Sequence, residues 1–210
     1  MQGVFFFGGK KMEIEKREKK KFENPVVKLT FSALMIALGT VLSMFRIIRM
    51  PIGGSVTILS MLPVILVAYI YGTKWGLFTG SVYGILQLVT GLDSLMGHGY
   101  SLLIIAGSII FDYILAYTSL GFGGIFKNII KNHAAAFALG TTVCCILRFL
   151  CHFVSGFVLW GDLSGDAKGS ILYSLTYNLT YMGPESLVTI LGAAILASPF
   201  SIKKADKESK

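Results

Sequence analysis

Six apolar segments, separated by short polar connections, constrain this chain more than any other feature of its sequence. They cover residues 29–48, 56–71, 76–90, 101–120, 134–160 and 171–200. A helix that crosses a bilayer needs about 20 apolar residues, with a range near 17–25, and helices satisfy their own backbone hydrogen bonds in hydrocarbon. The sequence therefore predicts an all-α membrane protein, a bundle of six transmembrane helices. The second and third segments are short, so we expect them to be tilted or sunk among their neighbours.

The distribution of charge agrees with this prediction. Charged residues make up 14% of the chain, compared with about 25% in soluble domains, and the mean hydropathy is +0.70. Eight of the 19 basic residues precede Leu29 and four follow Ile202. Basic tails of this kind contact anionic lipid, and we expect no nucleic-acid partner. We divide the chain into a basic N-terminal tail at 1–28, a transmembrane domain at 29–200 and a basic C-terminal tail at 201–210.

The charges between the apolar segments indicate the orientation in the membrane. Lys74, Lys127 and Lys131 fall on the same side as both basic tails, and Asp93 and Asp162 fall on the other side. Positive charge collects on the cytoplasmic side of membrane proteins. Both termini are therefore expected in the cytoplasm.

Two stretches depart from this simple pattern. Arg46 and Arg49 lie near the outer end of the first helix, and we place them in an interfacial loop before Pro51. Close to the start, the apolar run at 4–7 is shorter than a signal-peptide core of about 7–15 residues. Met12 is an alternative start of the natural chain.

Polar and aromatic side chains recur on one face of the fifth segment. His152, Gly156 and Trp160 follow one another at intervals of four residues, which keeps them on one helix face, and Gly156 leaves a notch between the two rings. The fifth helix runs outward in the predicted topology. Trp160 is therefore expected at the external face, with His152 about 12 Å deeper at a rise of 1.5 Å per residue.

The sixth and fourth segments carry polar groups at a similar depth. Tyr173 and Ser174 lie near the outer end of the sixth segment and Asn178 one turn further in, while Asp112 and Tyr113 lie midway along the fourth. An acid at that depth costs about 2.5–3.5 kcal/mol on the insertion scale, so it is expected to face the interior and to have a partner.

Tyr173, Tyr177 and Tyr181 follow one another on the sixth segment at intervals of four residues. Aromatic walls with a few polar groups are typical of a small-molecule site. The acid favours a cationic ligand.

Each of these groups also has a structural interpretation. His152 alone would serve as a hydrogen-bond donor between helices, Trp160 as a residue of the interfacial aromatic belt, and Glu185 as a bridge to Arg148. Asp112 is the hardest to explain in this way. The convergence of several groups at one depth favours a binding site over separate structural roles.

The sequence does not suggest an enzyme. It contains no nucleotide-binding motif, metal-ligand cluster or arrangement for a covalent nucleophile, so we expect no catalytic residues, no metal and no cofactor. The three cysteines lie in one apolar segment without a histidine at zinc spacing, and we interpret them as buried free thiols that pack as small hydrophobic groups. They are Cys144, Cys145 and Cys151.

Ala33 and Ala37 place two small side chains one turn apart on the first helix. Such a pair allows another helix to approach closely. From spacing alone, packing within the same bundle is the more common role, and contact with a partner protein is the alternative.

Over residues 29–200 the chain resembles the thiamine-specific substrate-binding (S) component, the ThiT type, of the energy-coupling factor vitamin transporters. The motifs that carry this resemblance are His152-Phe-Val-Ser-Gly156-Phe-Val-Leu-Trp160, Tyr173-Ser174-Leu-Thr-Tyr-Asn178 and Asp112-Tyr113, with residues 53–63 in support. The resemblance implies a multi-pass protein of the bacterial cell membrane, with six helices, an outward-facing thiamine pocket and no ATPase of its own.

The resemblance also implies roles for individual residues. In that family the tryptophan that matches Trp160 stacks on the vitamin, and the acid that matches Asp112 faces the cation. The residues that match His152, Tyr173, Ser174 and Asn178 contact the ligand. The small residues that match Ala33 and Ala37 dock on a transmembrane coupling subunit, which works with two cytoplasmic ATPase subunits.

Two departures from the family pattern bear on ligand choice. The fourth-helix acid is a glutamate in that pattern, whereas Asp112 is one methylene shorter, and some members carry a tryptophan in the first external loop, where this chain has Gly53 and Gly54. The expected ligand is thus thiamine, or a precursor or phosphate ester of it. A standalone proton-coupled carrier that uses Asp112, His152 and Glu185 as a relay is the alternative to a vitamin-capture subunit.

Overall fold

The computed structural model describes residues 24–50, 54–96, 100–159 and 167–208, and these contain six helical segments. They are α1 (Pro25–Met44), α2 (Leu62–Tyr71), α3 (Thr73–Met96), α4 (Leu102–Gly124), α5 (His133–Leu159) and α6 (Ala167–Glu208). In this part of the chain, α1, α4, α5 and α6 are long and apolar enough to cross a membrane. The predicted six-helix fold is confirmed.

The chain divides into two units, Met1–Leu34 and Met35–Lys210. The described part of the first unit begins at Asn24, whose Oδ1 accepts a hydrogen bond of 2.9 Å from the backbone N–H of Val26. Asparagine before a proline is a good start for a helix, because the side chain caps a free N–H and proline needs none at the first helical position. The second unit contains the rest of α1, the other five helices and a β-hairpin.

The hairpin corrects the predicted ends of the first two apolar segments. The first helix ends at Met44, and Arg46–Arg49 form strand β1, which pairs antiparallel with β2 (Ser55–Thr57). The expected helix to residue 48, with both arginines in a loop, was wrong. The two central residues of β1 are isoleucines, which favour strands, and Gly54, directly before β2, has a φ of +85°, which favours glycine.

The second and third segments differ in how well the sequence predicted them. Helix α2 has ten residues and is deeply buried, so the expectation of a short segment sunk among its neighbours is confirmed. Helix α3, by contrast, has 24 residues and is not short as predicted. Its last turns include Asp93 and other weakly apolar positions, which the hydropathy pattern excluded from the segment.

Helix α4 changes its winding along its length. It is α-helical over Leu102–Ser108, π-helical over Ile109–Leu115, α-helical over Ala116–Thr118 and 3₁₀-helical over Ser119–Gly124. π-Turns are rare and occur frequently at functional sites, because the wider turn redirects the side chains on it. This one carries Asp112 and Tyr113.

The hydrophobic core and the polar residues occupy different halves of α5. In the first half Ala136, Phe137 and Cys144 are fully buried against α2 and the end of α4. Cys144 and Cys145 are buried free thiols and Cys151 is partly buried, as predicted. The second half of α5 carries Arg148 and His152. The core thus supports one end of the bundle, and the polar groups collect towards the other end.

Candidate functional site

A cavity of about 420 Å³ lies between α3, α4, α5, α6 and the hairpin, a size within the usual range for small-molecule sites. The predicted site residues that line it are Asp112, Tyr113, His152, Gly156, Tyr173, Ser174 and Asn178. Trp160 lies outside the described residues. Helix geometry alone could not predict which of these side chains contact one another. The structure shows these contacts.

Asp112 makes its closest contacts with two groups on α5. Its Oδ1 lies 2.8 Å from His152 Nδ1, and its Oδ2 accepts a hydrogen bond of 2.6 Å from Ser155 Oγ. The side chains of Asp112 and His152 are only 20% and 12% exposed. An ionised carboxylate has no proton to donate, so the proton of this bond belongs to Nδ1. Asp112 therefore holds the imidazole ring of His152 in one orientation.

The second ring nitrogen of His152 has no hydrogen-bond partner within the described parts of the chain, although it is buried. In a neutral ring with the proton on Nδ1, Nε2 is an acceptor. Buried polar atoms in proteins are nearly always bonded. Nε2 is consequently the atom of this site that most needs a ligand donor.

Ser174 and Asn178 join α6 to α5. Ser174 Oγ donates to the carbonyl of Phe153 at 2.8 Å, and Asn178 Nδ2 donates to the carbonyl of His152 at 3.3 Å. A Cβ atom at Gly156 would overlap Ser174 Oγ and approach Asn178 Nδ2 to 3.2 Å. The space that glycine leaves at position 156 is filled by α6.

Three tyrosines form the aromatic wall that the four-residue spacing on α6 predicted. The rings of Tyr173 and Tyr177 stack with centroids 5.7 Å apart, and those of Tyr177 and Tyr181 meet edge to face at 6.0 Å. The ring of Tyr181 also lies edge-on to His152 at 6.3 Å. All three tyrosines line the cavity, which suits a flat ligand ring.

A buried ion pair lies in the wall of the cavity below these groups. Arg148 Nη1 lies 3.4 Å from Glu185 Oε2, and the two residues are 6% and 2% exposed. Arg148 Nη2 donates to the Tyr117 hydroxyl at 3.2 Å, and Thr57 Oγ1 donates to Glu185 Oε1. The bridge between Arg148 and Glu185, one of two interpretations of their sequence positions, is thus present.

Several cavity residues were not predicted. They include Arg46 and Arg49 on β1, Gln87 and Thr90 on α3, and Tyr117 on α4. Gln87 and Thr90 lie three residues apart at the end of the apolar segment 76–90, and this helical spacing is the one signal in the sequence that could have identified them. The strand at Arg46–Arg49 had no such signal, because it follows a transmembrane helix directly.

A sequence profile of the thiamine transporter protein family (Thia_YuaJ) matches residues 29–204, which is most of the chain. The chain belongs to this thiamine transporter family. Thiamine transporter ThiT of Bacillus subtilis (strain 168) is 30% identical over 148 residues, a match that covers 65% of this chain and 72% of that protein. The family resemblance predicted from the motifs is confirmed.

The fold of this thiamine transporter family member also matches a solved structure. ThiT from Listeria monocytogenes superimposes with a TM-score of 0.62 at 23% identity, covering 86% of this chain and 96% of that one. Together with the apolar spanning helices, these similarities identify a multi-pass membrane protein of a bacterial cell. Their names describe a transporter family and not an enzyme family.

Proposed function

We propose that this chain is a substrate-capture subunit that binds thiamine in the cavity between α3 and α6 and delivers it with a separate coupling and ATPase module. The observation that carries this proposal is that seven residues chosen from the sequence line one cavity. Membership in the thiamine transporter family gives the ligand class.

The chemistry of thiamine suits these groups. Thiamine has an aminopyrimidine ring joined to a cationic thiazolium ring. His152 Nε2 accepts a hydrogen bond from the amino group, because Asp112 keeps the proton on Nδ1. The negative charge of Asp112 attracts the thiazolium, and Trp160 stacks on a ring, with a cation–π contribution of about 0.5–2 kcal/mol. Tyr113 and Tyr173 complete the aromatic lining.

Ser174 and Asn178 take a second role in this proposal. Their bonds to the backbone of α5 hold the two helices together, and each keeps acceptor capacity for the ligand. Gly156 allows this close approach. The ligand is therefore held between two helices that are already tied to each other, which lowers the entropic cost of binding.

Docking on a transmembrane coupling subunit is assigned to the surface of α1. Ala37 is exposed, as is Ala33 one turn earlier in the first unit. Small exposed residues four apart allow a partner helix to pack closely in a membrane. Two cytoplasmic ATPase subunits would supply the energy through that coupling subunit, because the chain carries no nucleotide-binding motif.

Uptake by reconstituted vesicles tests this proposal. Vesicles with the chain alone should bind thiamine and accumulate none, and vesicles that also hold the coupling subunit, both ATPases and internal ATP should accumulate it. The double variant Ala33→Leu/Ala37→Leu should bind thiamine and lose uptake, whereas Val41→Leu, at another exposed position of α1, should keep both.

The hydrogen bond between His152 and Asp112 favours the second candidate, a standalone proton-coupled carrier. In the described residues, however, Glu185 bonds to Arg148 and Thr57 and not to His152. A relay of Asp112, His152 and Glu185 would need a hydrogen bond between the last two residues. Accumulation of thiamine by the chain alone, driven by a proton gradient without ATP, would establish the carrier and overturn capture by a subunit.

A further inference from the structure

The bulge in β1 turns two arginines to the same side of the hairpin. Arg46 pairs with Thr57 and Arg49 with Ser55, and the register shifts between Arg46 and Ile48. Residues three apart on a regular strand point to opposite faces. One extra residue in β1 cancels that difference, because cross-strand partners share a face.

The side on which the arginines lie is the side of the cavity. Arg46, Arg49 and their partners Ser55 and Thr57 all line the cavity. The isoleucines between the arginines do not, and they are 64% and 51% exposed. Both arginines are also exposed to solvent, which places them at the opening of the cavity and not at its floor.

The other charged groups of the cavity already have partners. Arg148 bonds to Glu185 at 3.4 Å and Asp112 to His152 at 2.8 Å. Within residues 24–50, 54–96, 100–159 and 167–208, the side chains of Arg46 and Arg49 form no hydrogen bond and no ion pair. Three arginines against two acids leave a formal excess of one positive charge in the lining. A ligand that is only a cation does not complement that excess.

We infer that Arg46 and Arg49 form an anion subsite at the mouth of the cavity, and that it binds the phosphate of a phosphate ester of thiamine. This inference rests on the proposed function. The cationic ring lies at Asp112, and the hydroxyethyl end of the molecule, which carries the phosphate in its esters, points to the hairpin. Guanidinium groups bind phosphate by paired, charge-assisted hydrogen bonds. Ser55 adds a hydroxyl donor on the same face.

The test compares thiamine with thiamine monophosphate by titration calorimetry in detergent free of phospholipid. The wild-type chain should bind both. The double variant Arg46→Gln/Arg49→Gln should lose at least about tenfold in affinity for the monophosphate and change less than about threefold for thiamine. Retained thiamine binding also shows that the variant is folded. The affinity of Arg46→Lys/Arg49→Lys for the monophosphate should lie between that of the wild type and that of the glutamine variant, because lysine keeps the charge without the planar guanidinium group.

Lys74→Gln/Lys131→Gln is the matched control, since it removes the same charge at exposed positions that do not line the cavity. It should leave both affinities unchanged. If Arg46→Gln/Arg49→Gln weakens the binding of both ligands equally, or weakens the binding of neither ligand, the inference is wrong. Wild-type binding of thiamine without its monophosphate would overturn it and leave the proposed function intact, whereas binding of neither would overturn both.

A phosphate group is also present in lipid headgroups, so the measurement is repeated in nanodiscs of phosphatidylglycerol and of phosphatidylcholine. If the arginines bind the phosphate of the ligand, Arg46→Gln/Arg49→Gln should change the ratio of the two affinities by the same factor in both lipids and in detergent. If the arginine variant changes thermal stability in phosphatidylglycerol alone and leaves the ratio unchanged, the arginines bind lipid and the inference is wrong.

Discussion

Asp112 on α4 and His152 on α5 share a hydrogen bond of 2.8 Å, and that bond determines which histidine nitrogen remains for a ligand. The carboxylate accepts from Nδ1, so in the neutral ring Nε2 carries a lone pair. Ser155 holds the other carboxylate oxygen at 2.6 Å, which prevents the acid from turning away. Asp112 thus acts on the ligand through His152 as well as through its own charge.

Replacing Asp112 with asparagine tests this relationship. The amide can donate to Nδ1, which favours the other tautomer and turns Nε2 into a donor. Loss of a hydrogen bond to a charged group costs about 1.5–3 kcal/mol, so we expect thiamine affinity to fall by about 10–100-fold in titration calorimetry. Asp93→Asn is the control, because Asp93 is exposed and does not line the cavity. Unchanged affinity in Asp112→Asn would show that His152 does not bind through Nε2.

A methyl group at Gly156 should separate α5 from α6. In Gly156→Ala the new Cβ would overlap Ser174 Oγ, and overpacking of this kind costs about 1–3 kcal/mol. We expect a lower unfolding temperature in detergent and weaker thiamine binding. In Gly183→Ala the new Cβ meets nothing within 4 Å, so that variant should behave as wild type. Equal effects of the two substitutions would contradict close packing at Gly156.

The ion pair of Arg148 and Glu185 should support the fold and not ligand recognition. Glu185→Gln leaves a buried arginine without its counter-charge, which destabilises proteins by about 3–5 kcal/mol. We expect a marked fall in unfolding temperature. In the double variant Arg148→Met/Glu185→Leu neither charge remains, so stability should recover in part, with thiamine binding retained. A stable double variant that no longer binds thiamine would assign the pair to the ligand instead.

Tryptophan fluorescence tests whether thiamine stacks on Trp160, because Trp75 is the other tryptophan of the chain and serves as a control. Trp75 lies at the start of α3, with its ring 5.5 Å from Phe78, and does not line the cavity. Thiamine should quench the fluorescence of wild type and of Trp75→Phe. Trp160→Ala should lose the quenching and bind about 2–30-fold more weakly, as expected for a stacked cation. Quenching that persists in Trp160→Ala would exclude stacking on Trp160.

The sequence was sufficient to predict the helical bundle, because a membrane allows few other folds. Apolar runs of the required length must be helical in hydrocarbon, and a four-residue spacing places His152 and Gly156 on one face. The tyrosine wall of α6 followed in the same way. Local rules of this kind apply before any tertiary contact is known.

The pairings between helices could not be predicted from spacing. Asp112 and His152 are 40 residues apart, and their contact depends on the π-turn in α4. Nothing in Ile109–Leu115 indicates an extra residue in that turn. The strand at Arg46–Arg49 depends likewise on pairing with β2, a tertiary interaction that overrides the helical pattern of the preceding segment.

Titration of the purified chain with thiamine tests the central claim most directly. We predict saturable heat with one thiamine bound per chain and none with riboflavin or biotin. His152→Ala should abolish the heat, whereas His133→Ala, which removes a histidine bonded to Tyr69 at 3.0 Å outside the cavity, should retain it. No heat with micromolar thiamine, together with binding of riboflavin or biotin, would contradict thiamine capture at this site.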